Sequence, residues 1–259
     1  VTGRLTVVGL GPGAPEWLTP EAAAALAAAT DVLGYSTYVD RIPPGPPGQR
    51  RHATDNREEL ARARHALDLA AEGRDVAVVS SGDPGVFAMA AAVMEAVEAD
   101  PAAYAGLDIR ICPGISAMQA AAARLGAPLG HDFCAISLSD NLKPWETVLR
   151  RLEAAASAGF VVALYNPVSK ARPWQLDAAF DRLRALLPGT VPLAFARAVG
   201  RPDERIAVVA LADAAGAMAD MQTVILVGTA ATRLIPRPGG LAPFVYSPRK
   251  AADPAEASA

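Results

Sequence analysis

Three short apolar runs in the first half of the chain each end in a turn built from glycine and proline. Leu5-Thr6-Val7-Val8 runs into Gly9-Leu10-Gly11-Pro12-Gly13, Asp75 to Ser80 into Gly82-Asp83-Pro84-Gly85, and Leu107 to Ile111 into Pro113-Gly114. Asp31-Val32-Leu33-Gly34 adds a further short strand. Helical segments lie between them. Thr19 caps one with Pro20 in its first turn, and Asp55-Asn56-Arg57-Glu58 opens a second that runs to Gly73. A third spans Val86 to Ala99, and Ser116 caps a fourth that stops at Gly126. Apolar strands alternating with such helices predict a parallel sheet covered on both faces. In that sheet the three turns share the carboxyl edge, where ligands bind in open α/β folds.

The second half predicts strands near 133–138, 160–165, 191–197, 205–210 and 223–227, with helices near 144–157 and 173–187. Trp145, Val148, Leu149, Leu152 and Ala156 repeat at helical spacing, as do Leu176, Phe180, Leu183 and Leu187, and both sets read as core. Gly200-Arg201-Pro202-Asp203-Glu204 is too short for a crossover, so it should close an antiparallel hairpin and make the second sheet mixed. The expected organisation is an α/β chain of two αβα domains, 1–125 and 126–245, followed by a small polar, disordered tail over 246–259.

Composition narrows the function. A net charge of −3 gives no basic stripe, so nucleic acid is not an expected partner. No apolar run reaches membrane-spanning length, and Val1 to Val8 goes straight into strand-like sequence, so a cytoplasmic location is expected. The two cysteines, Cys112 and Cys134, and three histidines lack metal-ligand spacing, so no metal is expected and the thiols read as buried and reduced.

The first glycine turn has three readings. Gly9, Gly11 and Ala14 fit the letters of a dinucleotide fingerprint. Yet Pro12, Pro15 and the Thr19-Pro20 start delay the helix that should face a pyrophosphate, and Asp31 sits at the near end of its strand instead of the far end. A purely structural tight turn is the second reading. The third is a ligand laid against bare backbone, such as adenosine with an amino-acid tail.

Val-Val-Gly-Leu-Gly-Pro-Gly at 7–13, Ser-Ser-Gly-Asp-Pro-Gly at 80–85 and Pro-Gly-Ile-Ser-Ala at 113–117 together resemble the tetrapyrrole (corrin/porphyrin) methylases. Ile136 to Glu146 and Tyr165-Asn166-Pro167-Val168-Ser169-Lys170-Ala171-Arg172 are similar to the branch that methylates ring carbon 17 of a precorrin, and contracts the ring, in aerobic cobalamin synthesis. Asn141-Leu142-Lys143 departs from the Leu-Leu-Thr usual there. The resemblance implies S-adenosylmethionine as cofactor, S-adenosylhomocysteine as its product, a tetrapyrrole substrate, a homodimer and a cofactor cleft between two α/β domains. It implies cofactor contacts at Leu10, Gly11, Pro12, Gly82, Asp83, Val86, Phe87, Ser116, Ala117, Tyr165, Asn166, Ala198, Gly228 and Thr229. Other members of the family with a different substrate, and a nicotinamide enzyme, are the competing readings.

Methyl transfer from a sulfonium asks mainly for orientation. Ring contraction also asks for a proton acceptor. Asp83 and Asp140 are the acids in the motifs; their alternatives are a turn former before Pro84 and an ordinary loop acid. Ser139, Lys170 and Arg172 are the expected substrate contacts, the two cations pairing with macrocycle carboxylates. The alternative for that pair is a solvated loop. Lys143 and Arg150 are further basic groups nearby, and His131 reads as a surface residue.

Overall fold

A computed structural model describes residues 3–55 and 58–250. The chain divides into two compact units, Val1–Ala117 and Met118–Ala259. The division falls ahead of the 125/126 boundary expected from sequence, at the start of a helix and not at its end.

Unit 1 is built from β1 (Arg4–Gly9), α1 (Pro20–Ala28), β2 (Asp31–Tyr35), α2 (Ser36–Val39), β3 (Arg50–Thr54), α3 (Glu59–Ala71), β4 (Asp75–Ser80), α4 (Met89–Ala99), α5 (Pro101–Tyr104) and β5 (Asp108–Cys112). Its five strands lie in the order β3-β2-β4-β1-β5 and every neighbouring pair is parallel. Thr19 caps α1 as expected, its hydroxyl accepting the Ala22 N–H. The central strands are buried on both faces, with Leu5, Val7 and Val78 packed against Leu67, Met89 and Val93. Val8, Val32 and Val79 pack on the other side against Ala22 and Leu26. Each fully buried Leu or Val contributes about 1.5–3 kcal/mol. Part of the expected capping sequence, Asn56 and Arg57, lies outside the described residues.

Unit 2 contains α6 (Ala117–Leu125), β6 (Gly126–Ala127), β7 (Phe133–Ser137), α7 (Trp145–Ser157), β8 (Val161–Tyr165), α8 (Gln175–Arg184), β9 (Pro192–Arg197), β10 (Arg205–Ala210), β11 (Thr223–Val227), β12 (Arg233–Ile235) and β13 (Phe244–Tyr246). The sheet order is β10-β9-β11-β8-β7. β7 and β8 are parallel, whereas β9, β10 and β11 pair antiparallel, so the sheet is mixed and the 200–204 hairpin closes as expected. Both helical stripes are core: Leu152, Leu176, Phe180 and Leu183 are fully buried.

Two features differ from expectation. β3, with the polar sequence Arg50-Arg51-His52-Ala53-Thr54, is an edge strand that apolar patterning does not reveal. β12, β13 and β6 form a small third sheet at the place where the tail was expected to begin. Ser247 there is buried, donates its N–H to Ala127 O and shares a hydroxyl contact with Thr232. Residues 251–259 of the expected tail lie outside the described residues. Among the described residues no helix is long and apolar enough to cross a membrane.

Asp31, at the amino end of β2, is fully buried. Its Oδ1 lies 2.9 Å from His52 Nε2 and 3.3 Å from Arg74 Nη1, and its Oδ2 accepts the Thr30 hydroxyl at 2.9 Å. Burial pushes its carboxyl up, but the His52 and Thr30 hydrogen bonds and the Arg74 and Arg50 charges outweigh that and hold it below its ordinary value. The folded carboxyl therefore titrates below the unfolded one, at about 3.9. Its contribution is full above the unfolded value and is lost as pH falls through the folded value. Asp31→Asn is expected to lower unfolding stability by about 1–3 kcal/mol at pH 7. Denaturant melts from pH 7 to pH 3 should show a shallower acid-side loss in the variant; parallel curves would contradict the assignment.

Candidate active site

The strand order sets the place of the first half-site. The chain leaves β1 toward β2 and leaves β4 toward β5, while β1 and β4 are neighbours. The two connections therefore pass each other at the carboxyl edge and leave for opposite faces of the sheet, α1 on one and α4 on the other, the arrangement at which open α/β sheets bind ligands. The two loops are laced together. Leu10 N–H donates to Ser80 O at 2.9 Å, Gly11 N–H to Gly82 O at 3.2 Å, and Gly82 N–H to Gly11 O at 2.8 Å. The third loop, after β5, lies directly against them. A Cβ on Gly114 would stand 2.3 Å from Gly82 O and 3.0 Å from Gly9 Cα, so no side chain fits. A Cβ on Gly9 would meet Gly114 N at 2.7 Å.

Asp83 ties the loops after β4 and β5 with its side chain. Its Oδ1 accepts Gly85 N–H at 2.8 Å and its Oδ2 accepts Gly114 N–H at 3.0 Å. Both carboxylate oxygens are thus engaged by backbone donors, the geometry of a loop clamp. The chain then runs through Val86 and Phe87 before α4 begins at Met89, later than the Val86 start expected from sequence. The reason is local: Phe87 has φ 51, a left-handed conformation that interrupts a helix, and Met89 N–H donates to the buried Ser80 Oγ at 3.2 Å. Ser116 is buried and Ala117, half-buried, opens α6, both against Gly82.

The dinucleotide reading meets two obstacles here. β4 separates β1 from β2, whereas the dinucleotide fold places the first two strands side by side. Asp31, the acid that would hold a ribose, is fully buried in its ion network at the amino end of β2.

In unit 2, β7 and β8 are parallel and end together at Ser137 and Tyr165. β9 ends at the same edge, because it is antiparallel to β11 and β11 is antiparallel to β8. Tyr165, Asn166 and Ala198 therefore share one edge. Tyr165 Oη accepts the Met118 N–H at 3.0 Å in the first turn of α6. Asn166 and Ala198 have φ 52 and 50, the left-handed region. Asn166 Nδ2 donates to Ser137 Oγ at 3.0 Å, and Ser139 N–H reaches the same oxygen at 3.3 Å.

Gly228 and Thr229 are not brought to that edge. Val227 pairs with Val162 and Leu193, and Gly228 N–H donates to Pro192 O, so both residues stand at the far end of β11. Thr229 instead bonds Thr232, which meets Ser247, and so serves the turn before β12. The reversal of β11 is the physical cause: its carboxyl end lies at the amino end of β8.

The charged residues separate as well. Lys170 is exposed on a shallow cavity of about 310 Å³ lined also by Ser169, Asp220 and Met221. Arg172, expected to meet a macrocycle carboxylate, is buried; its Nη1 donates to Asn166 O at 2.9 Å. Asp140 Oδ1 lies 3.9 Å from Arg172 Nε, and its Oδ2 accepts Gln175 Nε2 at 3.1 Å. Gln175 was not singled out from sequence; its partner is distant along the chain and no local signal marks it. In the departing segment, Leu142 is 98% exposed. Burial pushes the Lys143 ammonium below its ordinary value, and Arg151 adds to that. Of the cysteines, Cys112 is buried and Cys134 half-buried, and burial pushes both thiols up. His131 is partly exposed, its Nδ1 accepting the Asp132 N–H.

The family model for Tetrapyrrole (Corrin/Porphyrin) Methylases matches residues 4–215. A precorrin-3B C(17)-methyltransferase from Sinorhizobium sp. is 58% identical over 96% of this chain and 97% of its own length. The crystal structure of the methyltransferase CobJ superposes with a TM-score of 0.89 at 58% identity, covering 95% of this chain and 100% of that one. At 22% identity and a TM-score of 0.62, the uroporphyrin-III C-methyltransferase from Thermus thermophilus, solved with S-adenosylhomocysteine, shares the fold over 87% of this chain and 92% of that one. With three strand-end glycine loops in family order and a match over most of its length, this chain belongs to the tetrapyrrole methylase family.

Proposed function

We propose that this chain transfers the methyl group of S-adenosylmethionine to carbon 17 of precorrin-3B and contracts the ring, as a step of aerobic cobalamin synthesis. The observation that carries this reading is the near full-length likeness to the Sinorhizobium enzyme of that name.

The carboxyl edge of unit 1 fits the cofactor. Leu10, Gly11, Pro12, Gly82, Val86, Phe87, Ser116 and Ala117 offer backbone and small or apolar groups, and Gly9 and Gly114 leave no side chain where the loops meet. By resemblance to the family, Tyr165, Asn166 and Ala198 are also proposed as cofactor contacts. Bound there, S-adenosylmethionine supplies a methyl group already activated by the sulfonium. The protein's part is orientation, which can supply up to about 7–11 kcal/mol of a barrier.

Asp83 is proposed to act by holding the loops, since both its oxygens accept backbone N–H groups. Asp140 is the acid proposed to take the proton released in ring contraction; its side chain is 27% exposed at the β7 edge. Ser139 and the exposed Lys170 are proposed to meet the macrocycle, Lys170 through a carboxylate. No metal is invoked for these steps. A homodimer suits the exposed Leu234, Ile235, Leu241 and Phe244 on and beside the third sheet, an apolar surface of the kind that marks interfaces.

Calorimetry with S-adenosylhomocysteine, and mass and absorbance spectra after incubation with precorrin-3B and S-adenosylmethionine, test the reading. Saturable binding and a product heavier by one methyl with a changed chromophore are expected. A methylated product with the starting spectrum would remove the ring contraction, and NAD binding in place of S-adenosylhomocysteine would remove the whole reading.

The two aspartates should separate. Asp83→Asn is expected to weaken S-adenosylhomocysteine binding roughly tenfold through loss of a charge-assisted bond in the loops. Asp140→Asn is expected to lower turnover by roughly 10²–10⁴, a loss larger than any change in that affinity. Full turnover in Asp140→Asn would place the proton acceptor elsewhere.

A further inference from the structure

We infer that Arg172 is a positioning residue: it holds the Asn166 peptide in its left-handed conformation and so sets the edge that meets the cofactor. The inference rests on the cofactor reading above.

The side chain of Arg172 is 7% exposed, although Lys170, two residues earlier, lies open to solvent. Burying a guanidinium is costly unless its donors find partners. Here they are turned inward to the loops. Nη1 donates to Asn166 O at 2.9 Å and approaches Leu138 O at 3.5 Å, while Nη2 faces Met221 Sδ at 3.8 Å. Leu138 and Asn166 are the first residues beyond the parallel strands β7 and β8. One guanidinium therefore reaches the loop starts of both neighbouring strands. Asp140, at 3.9 Å from Nε, supplies the counter-charge and is itself steadied by Gln175.

The main chain closes around the same side chain. Arg172 N–H donates to Ser169 O at 3.0 Å and Ser169 N–H to Arg172 O at 3.3 Å. That turn folds residues 166–172 back on themselves, so the arginine grips the carbonyl of the residue that opened its own loop. Asn166 is then fixed from two sides: its carbonyl by Arg172 and its side chain by Ser137. A left-handed conformation costs a non-glycine residue energy and persists where the surroundings over-determine it. Lysine would not replace this arrangement, because an ammonium lacks the planar fork that serves several acceptors at once.

A double-mutant cycle separates this role from general support of the fold. Glycine takes the left-handed region freely, so Asn166→Gly removes the need for a clamp at that peptide. Dissociation constants for S-adenosylhomocysteine are measured on the full chain for wild type, Arg172→Lys, Asn166→Gly and the double variant, with thermal midpoints alongside. Arg172→Lys is expected to weaken binding roughly tenfold in the wild-type background and less than about threefold in the Asn166→Gly background. The same loss in both backgrounds, or no loss at all, overturns the inference. Arg172→Met, which keeps the stem and removes the donors, repeats the cycle if the lysine variant does not fold. Absence of S-adenosylhomocysteine binding by the wild type would instead mark failure of the cofactor reading, and this inference would fall with it.

Discussion

The contact among the backbones of Gly9, Gly82 and Gly114 is the constraint from which the rest of unit 1 follows. β4, β1 and β5 are neighbours in one parallel sheet, so their carboxyl ends arrive side by side at the ordinary strand spacing of about 4.8 Å. Three loops must leave from that narrow front. They can do so because main chain rests on main chain, with no Cβ between. Once the loops touch, their polar groups must pair with one another, and Gly11 and Gly82 do so reciprocally. The Gly114 N–H then requires an acceptor, and Asp83 provides one from the neighbouring loop. The acid in the motif is thus explained by the glycines around it before any chemistry is assigned to it.

Unit 2 meets a similar problem without glycine. Its edge residues Asn166 and Ala198 carry side chains yet adopt left-handed backbone. Such conformations cost on the order of 1–3 kcal/mol each. The cost is offset by a core in which Leu152, Leu164, Leu176, Phe180 and Leu193 are fully buried, and by local bonds that leave the loops little freedom. Ala198 N–H donates to Gln222 O, and Asn166 is held through its carbonyl and its amide. Small residues let the first unit's loops meet, and a large buried one ties the second's.

The features legible in the sequence were those with local causes. A glycine and proline turn after an apolar run marks a strand end wherever the strand later pairs, and all three such turns in unit 1 reached one edge. The 200–204 hairpin was legible because its length forbids a crossover. β3 was not, since an edge strand of Arg50, Arg51 and His52 buries too little to show a pattern. β6, β12 and β13 are two or three residues long and leave no period to detect. Gly228 and Thr229 were assigned to the site by resemblance alone, and the antiparallel course of β11 carries them to the opposite edge. The burial of Arg172 was illegible for another reason: which of two cations in one loop turns inward depends on carbonyls that the fold supplies.

Phe87 presents the opposite economy from the glycines beside it. Gly11 and Gly82 take φ 69 and 70 at no steric cost, whereas Phe87 takes φ 51 with an aromatic side chain that is half exposed. Glycine at 87 would relieve the backbone, and burial alone does not explain a ring left half in solvent. A strained backbone at the edge proposed to bind the cofactor is the pattern expected where the side chain, and not only the turn, is needed. It stands two residues ahead of α4, whose first N–H is held by Ser80. A rigid, uncharged aromatic face beside bare backbone suits flat, conjugated ligand groups. In the proposed cofactor site it would add orientation without adding a titratable group, the contribution that transfer from an already activated methyl donor requires.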